Sequence, residues 1–153
     1  QVLLRLFKED YGWDQFERWQ AYMPEVKVDL GNQDISKLIK NNRLCIITYN
    51  ATSFLEALHW NIPIIAFWNQ EHWELNNEVM PYFELLQSVG ILHKNPKSAA
   101  KHMTKVWDDV PSWWESSEVE RAKLEFCKQF SHTLDNPIAN LKSLFKGVYR
   151  NYD

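Results

Sequence analysis

The sequence predicts an α/β protein in which helices flank a parallel sheet and a helical tail closes the C-terminal end. Three observations lead to this fold. The first half of the chain alternates short apolar runs with helical segments, the second half is helical, and no internal repeat interrupts the pattern. Strands that are separated by helices are joined by crossover connections, so the predicted strands are parallel.

Five short runs have the character of strands. They are apolar and bounded by turn residues, and the second of them alternates with a period near two. The fifth run is only two residues long, which is typical of an edge strand. The predicted strands are residues 2–7, 26–30, 44–47, 64–67 and 91–92.

Helical spacing and helix-start signals predict the remaining elements. Asn-Pro pairs at 95–96 and 136–137 each place a capping residue before a proline at the first helical position. A capping box at 117–120 opens the helix between them. The predicted helices cover residues 13–22 and 76–89 and begin near residues 35, 52, 95, 117 and 136, while residues 108–116 with Pro111 are a predicted loop. In the last helix the side chains expected to face inward are Ile138, Leu141, Phe145 and Val148.

Composition limits the functions that the chain can have. Its 153 residues are 45% hydrophobic and 24% charged with a net charge of −3, which is an ordinary globular composition without the basic run that nucleic-acid binding needs. No apolar run approaches the roughly 20 residues that span a bilayer. We expect residues 1–153 to be a single domain. The chain starts at Gln1 and enters a predicted strand at once, so we expect a C-terminal fragment of a larger protein.

The most informative stretch is residues 44–56, in which an apolar strand ends in hydroxyl and amide residues and then opens a helix. Thr48, Asn50, Thr52 and Ser53 supply short hydrogen-bonding side chains beside the free N–H groups of a helix N-terminus, which favour an anion such as a phosphate. Plain helix capping by the same residues is the alternative, and the spacing leaves both interpretations open.

Glu56 is the next candidate. A carboxylate one turn into this helix can accept two hydrogen bonds from a ribose diol. Ser53 and Glu56 are also three residues apart, so they have the spacing of a capping box. Both interpretations hold together if the helix begins at Thr52.

A polar and aromatic loop, residues 68–73, follows the next predicted strand. Its tryptophan and histidine side chains can stack on a base or sugar, and Asn69 can bind hydroxyl groups; the alternative is that the tryptophans pack into the core. His72 is a weak candidate for a general base, because no partner carboxylate is fixed by the spacing.

Arg5 lies between two leucines in the first predicted strand, so it either points into a site or forms a structural ion pair. The histidines and the two cysteines lack the spacing of a zinc site. The sequence has four glycines and neither a phosphate-binding loop nor a dinucleotide fingerprint. We therefore expect no metal and no bound cofactor.

Several of these motifs together resemble the donor-binding half of the GT-B glycosyltransferases, and the whole chain resembles a bacterial family of surface-carbohydrate transferases. The resemblance rests on residues 48–58 (TYNATSFLEAL), 61–65 (NIPII), 73–75 (WEL), Asn69, and the Trp-rich segment with Trp113-Trp114. It implies a Rossmann-like sheet that is half of a GT-B fold. The sequence departs from the family's pattern at two places, which leaves the donor's identity open. Thr48 stands where many members have a histidine, and residues 69–72 (NQEH) stand where an Asp-Gln pair is common.

The resemblance also implies a function and a set of roles. Thr52 and Ser53 would contact the phosphates of a nucleotide-sugar donor, Glu56 would hold the ribose, and Asn69 with His72 would face the sugar. A missing N-terminal domain would supply the acceptor site and usually the catalytic base, so this fragment alone would bind donor without turnover. GT-B enzymes generally need no bound metal. The implied location is cytoplasmic, with peripheral attachment to the inner membrane left open.

Two other functions remain open at this point. The first is another enzyme on the same fold, either a sugar-nucleotide epimerase or a glycerophosphotransferase. The second is a non-catalytic carbohydrate-binding domain that uses its eight tryptophans. The second function predicts binding of a glycan rather than a nucleotide.

Overall fold

The computed structural model describes residues 1–133 and 136–149. The chain divides into two compact units, residues 1–43 and the part that begins at Leu44. The expectation that both belong to one domain stays a prediction.

The first unit is a pair of parallel strands with two helices. Its elements are β1 Leu3–Arg5, α1 Gln15–Tyr22, β2 Lys27–Asp29 and α2 Ile35–Lys40. The register places Arg5 opposite Asp29. After β2 the chain turns at Gly31, where φ is +80° and an added Cβ would lie 2.9 Å from the Lys8 Cα, so a side chain would be strained there on both counts. Helix α2 begins where the Asp34 side chain accepts the Ser36 N–H at 2.8 Å.

The second unit carries a three-stranded sheet and six helices over the residues that the structure describes. Its strands are β3 Cys45–Ile47, β4 Ile64–Phe67 and β5 Leu92–His93, and its helices are α3 Thr52–His59, α4 Met80–Ser88, α5 Pro96–Val106, α6 Val110–Trp114, α7 Ser117–Phe130 and α8 Pro137–Tyr149. The sheet order is β3-β4-β5 and both pairings are parallel. The central position of β4 explains why the first three of its residues are fully buried.

Aromatic edges and small aliphatic side chains form the core of this unit. Phe126 of α7 meets Phe54 of α3 and Phe83 of α4 in near-perpendicular contacts, with ring centroids 5.7 and 5.2 Å apart. Ile65 of β4 packs with Ala99 and with other residues of α5. The sheet is thereby fixed between helices, and its strand ends are held in place.

The predicted α/β class is confirmed: parallel strands form two small sheets flanked by helices, as in a Rossmann-like half-domain. All five predicted strands exist, and each of their ends lies at most two residues from its predicted position. The helix expected at residues 76–89 begins only at Met80, because residues 77–79 form a turn. Among the described helices, none has the combined length and apolar character required to cross a membrane.

The loop predicted for residues 108–116 is wrong. A short 3-10 turn at Trp107–Asp109 leads directly into helix α6. Asp109 caps this helix by accepting the Ser112 N–H at 3.1 Å, and Pro111 stands in its first turn. Proline is well tolerated at that position, so here it starts a helix instead of breaking one.

Two further expectations about the C-terminal helices are corrected. The capping box at 117–120 does not form, because the first helical residue is Ser117 and its hydroxyl donates to Glu118. Helix α8 begins after Asn136 as predicted, but the side chains expected to face inward are largely exposed: Ile138 is 67%, Leu141 55% and Phe145 57% exposed. The side chain of Val148 lies outside the described residues.

Candidate functional site

The carboxyl ends of β3, β4 and β5 open into one cleft of about 320 Å³, which we call the strand-end cleft. Parallel strands all deliver the residues that follow them to the same edge of the sheet, where open α/β sheets bind ligands. The lining residues are Thr48 after β3, Phe67, Trp68 and Asn69 at the end of β4, and Lys94, Asn95 and Pro96 after β5.

Trp68 forms the fixed wall of the strand-end cleft. Its side chain is only 4% exposed, and its ring meets Phe54 and Phe83 edge-on at centroid distances of 5.4 and 6.4 Å. The indole N–H is buried and has no hydrogen-bond partner among the described residues. Leaving such a donor unpaired costs about 1–3 kcal/mol, so a ligand acceptor that reached this N–H would relieve the cost.

Asn69 is held in place by its own loop. Its side-chain oxygen accepts the backbone N–H of Glu71 at 3.1 Å, which is the usual way in which asparagine closes a local turn. Its backbone carbonyl accepts the N–H of His72 at 3.1 Å. The amide nitrogen of the side chain has no partner within the described part of the chain, so it is available to donate to a ligand.

Lys94 and Asn95 complete the cleft. The sequence analysis predicted Asn95 only as a helix cap and named neither residue as part of a site. Asn95 caps α5 by accepting the Ser98 N–H at 2.9 Å. Lys94 is exposed and, within the part of the chain that the structure describes, is the only charged residue that lines the cleft. A signal for both was present, because they follow the third strand just as Thr48 and Asn69 follow the first two.

Helix α3 begins at Thr52, and its N-cap is Ala51, which has no polar side chain to cap it. The Ser53 hydroxyl lies 3.5 Å from the Tyr49 hydroxyl, a long contact. Side-chain capping, the alternative for this segment, is therefore not realised. The first N–H groups of α3 keep their partial positive charge for another partner.

Glu56 is half-buried on α3, and its carboxylate has neither a hydrogen bond nor an ion pair with another described residue. The capping box with Ser53 does not form, which removes the structural alternative for this carboxylate. Asn50 is half-buried and Thr52 is exposed. These residues lie close in sequence to Thr48, but they do not line the strand-end cleft.

A comparison with known families identifies the chain. Residues 1–145 match the model that is described as LIC12162 family transferase. The chain belongs to this family. No curated protein and no solved structure matches it. The predicted transferase class is thereby confirmed at the level of the family.

The two remaining candidates of this LIC12162 family transferase are His72 and Arg5. His72 is exposed at the end of the 3-10 turn Gln70–His72 and does not line the cleft. Arg5 lies in the first unit, where its guanidinium pairs with the buried carboxylate of Asp29 at 2.8 Å and donates to the Gln33 carbonyl at 2.7 Å. The ion pair that was the structural alternative for Arg5 is therefore present.

One group of carboxylates in this transferase is close enough to hold a metal, within the part of the chain that the structure describes. The carboxylate oxygens of Asp10, Asp14 and Glu17 lie within 4.8 Å of one another, and all three residues are exposed. The group belongs to the first unit and includes none of the predicted site residues. Exposed acidic groups of this kind are common without a metal.

Proposed function

We propose that the strand-end cleft of this LIC12162 family transferase binds the diphosphate and sugar of a nucleotide-sugar donor for glycosyl transfer. The observation that carries the proposal is the convergence of three strand ends. They bring Lys94, Asn69 and Thr48 into the lining of one cleft, whose wall includes Trp68.

The chemistry of the cleft favours an anion with hydroxyl groups nearby. Lys94 makes the lining positive, and an ammonium is a common point-charge partner for phosphate. When a glycosidic bond to a diphosphate breaks, negative charge develops on the leaving oxygens. A nearby cation and an amide N–H donor stabilise that charge in the transition state without a metal ion.

The size of the cleft sets how much of the donor it can hold. At about 320 Å³, it is at the lower end of small-molecule sites, so we assign to it the diphosphate and sugar. The ribose and base would extend along α3. The GT-B resemblance, and not the lining of the cleft, assigns Thr52 and Ser53 to the phosphates, Glu56 to the ribose hydroxyls and His72 to the sugar. Asn50 stays a donor-binding candidate on the same ground.

The wider assignment follows from the GT-B resemblance. A preceding domain would supply the acceptor site and the catalytic base, and the product would belong to surface polysaccharide synthesis in the cytoplasm. The assignment of Arg5 to the donor stays a prediction from the sequence. A transfer assay with the longer protein, with and without acceptor, distinguishes a glycosyltransferase from an epimerase or a glycerophosphotransferase.

The decisive experiment titrates the chain with UDP, CMP, CDP and GDP by calorimetry. Asn69→Asp is the sharpest variant, because the new carboxylate can still accept the Glu71 N–H while it loses the amide donor and repels phosphate. We expect Asn69→Asp and Lys94→Ala each to weaken binding about tenfold or more. Lys101→Ala is the matched control, because it removes an exposed lysine from helix α5, which begins two residues after Lys94.

Three outcomes would contradict the proposal. The first is that none of the four nucleotides binds. The second is that Lys101→Ala weakens binding as much as Lys94→Ala, which would mean that the effect is one of general charge. The third is that a glycan binds and no nucleotide does, which would favour the carbohydrate-binding alternative.

A further inference from the structure

A second cleft of about 510 Å³ lies between the end of α4, helices α5 and α6 and the first turns of α7; we call it the helix cleft. It differs from the strand-end cleft in every lining residue. The two clefts are close together along the chain: His93 lines the helix cleft, and the next residue, Lys94, lines the strand-end cleft.

Hydrogen bonds within the protein already use the acceptors at the α4 end of the helix cleft. The Val89 carbonyl accepts the indole N–H of Trp113 at 3.0 Å. The Gly90 carbonyl lies 2.9 Å from His93 Nε2, and the Gln87 carbonyl accepts the Gly90 N–H at 3.2 Å. This wall is therefore poor in free acceptors for a ligand.

The charged side chains of Lys105 and Arg121, in contrast, are unused donors of the helix cleft. Neither side chain has a hydrogen bond or an ion pair with another described residue. The Ser116 hydroxyl stands at the N-cap of α7 without making a capping bond. The one carboxylate in the lining is Glu118, which accepts the Ser117 hydroxyl at 3.1 Å. The free polar groups therefore carry a net positive charge.

The remaining wall supplies a rigid aromatic surface. The His102 ring packs against Gly90 so closely that an added Cβ would lie 2.5 Å from its Nε2. The same ring meets the Trp113 indole at 5.0 Å between centroids. Burial, together with neighbouring His93 and Lys105, lowers the pKa of His102, so its ring is neutral at pH 7. His102 thus reports on charge that enters the cleft.

We propose that the helix cleft is a second ligand site, which binds a small organic anion through Lys105 and Arg121 while the apolar part of the ligand packs on Trp113. The volume suits a small metabolite rather than a bare inorganic ion. A phosphate monoester and a carboxylate offer the same chemistry to two cations, so the test uses one probe of each class. The site is independent of the proposed donor site.

The test follows the ring C–H signals of His93 and His102 by NMR in the full chain during addition of inorganic phosphate, phenyl phosphate or benzoate. We expect a saturable shift with at least one organic probe. The bound anion should also raise the pKa of His102, because negative charge favours the imidazolium. Phenyl phosphate and benzoate are the same size class, so their relative affinity identifies the preferred head group.

Matched variants decide whether the two cations are responsible. Lys105→Ala and Arg121→Ala should each weaken binding of the organic probe about tenfold. The controls Lys101→Ala and Lys128→Ala remove an exposed cation from the same two helices, α5 and α7, and should bind as the parent does.

The proposal is overturned if none of the three probes gives a saturable shift, or if the two controls weaken binding as much as the cleft variants. Lys94→Ala separates it from the proposed function. This change should reduce nucleotide affinity and leave the organic anion unaffected, whereas Lys105→Ala should do the reverse. Failure of one site therefore does not imply failure of the other.

Discussion

Replacement of Lys123 by methionine tests a buried ammonium that makes two hydrogen bonds inside the second unit. Lys123 lies on α7, is 7% exposed, and donates to the Asn61 side-chain oxygen at 2.8 Å and to the Trp114 carbonyl at 2.9 Å. Its ammonium also lies 4.2 Å from the centroid of the Trp114 ring. The same Asn61 oxygen accepts the Trp114 indole N–H at 3.0 Å, so three residues share one network at the turn before β4.

The magnitude depends on two opposing effects. Each hydrogen bond from the ammonium contributes about 1.5–3 kcal/mol, and the cation–π contact adds roughly 0.5–2 kcal/mol. Against these, desolvation of a buried ion costs several kcal/mol. Methionine removes both effects and keeps much of the apolar stem, but it takes one donor from the Trp114 carbonyl, and an unpaired buried carbonyl costs about 1–3 kcal/mol. We therefore expect the free energy of unfolding to fall by about 2 kcal/mol.

The assay is urea unfolding at pH 7, followed by far-UV circular dichroism. Lys128→Met is the control, because it makes the same change at an exposed position of α7 and should alter stability by less than about 0.5 kcal/mol. If Lys123→Met is as stable as the parent or more stable, desolvation outweighs the hydrogen bonds and the reasoning is wrong.

The pH dependence of the stability difference between the parent and Lys123→Met gives an independent check. Burial lowers the pKa of Lys123 below its ordinary 10.5, although the neighbouring carboxylates of Glu120 and Glu115 oppose the shift. In the window between the folded value and 10.5, the unfolded chain holds more protons, so the stability of the parent rises with pH. The stability difference between the parent and Lys123→Met should therefore widen as the pH rises through that window. A difference that narrows there would contradict the assigned direction.

Three further predictions concern single positions. Gly90→Ala should lower the free energy of unfolding by more than about 1 kcal/mol, because φ is +80° and the new methyl would clash with His102; His102→Ala in the same chain should recover part of the loss, as urea unfolding would measure. Burial lowers the pKa of both His93 and His102, so stability should fall as the pH drops below about 6.5, and His102→Ala should flatten that slope. Burial raises the pKa of the Cys45 thiol to about 11, so alkylation at pH 8 should be roughly a hundredfold slower than at an unshifted thiol, as mass spectrometry with a timed quench would measure.

Local patterns were sufficient to predict the elements whose cause is local. The run that became β4 is continuous, apolar and bounded by a proline turn and a polar loop, so its bounds were predicted without error. Asn95 and Asn136 each cap the helix that they were expected to begin. The error at Pro111 has a different origin, because proline ends a helix or begins one according to its position in the turn. Here the N-cap at Asp109 places Pro111 in the first turn of a helix, but Asp109 had been predicted to lie in a loop.

Burial, in contrast, depends on partners that periodicity does not identify. In α8 the spacing of Ile138, Leu141 and Phe145 predicted one apolar face correctly, but nothing in the described residues covers that face. For Trp68 the sequence left core packing and ligand stacking as alternatives, and the structure shows core packing: the ring packs against Phe54, although the residue also lines the cleft. A residue at a strand end can pack in the core and also line a cleft. A prediction that assigns each residue either to the core or to a site therefore misses such residues.

The candidate site was predictable to the extent that it follows from sheet topology. Thr48 and Asn69 were identified because each follows an evident strand, and the same rule applied to the two-residue strand β5 would have added Lys94. That strand is too short to give a periodic signal, yet its pairing with β4 places Lys94 as firmly as a long strand would. Among the described residues that line the cleft, Lys94 is the one cation. The shortest strand therefore positions the side chain that should attract a phosphate most strongly. Loss of nucleotide binding in Lys94→Ala, with Lys101→Ala unchanged, is therefore the measurement on which the proposed function depends most directly.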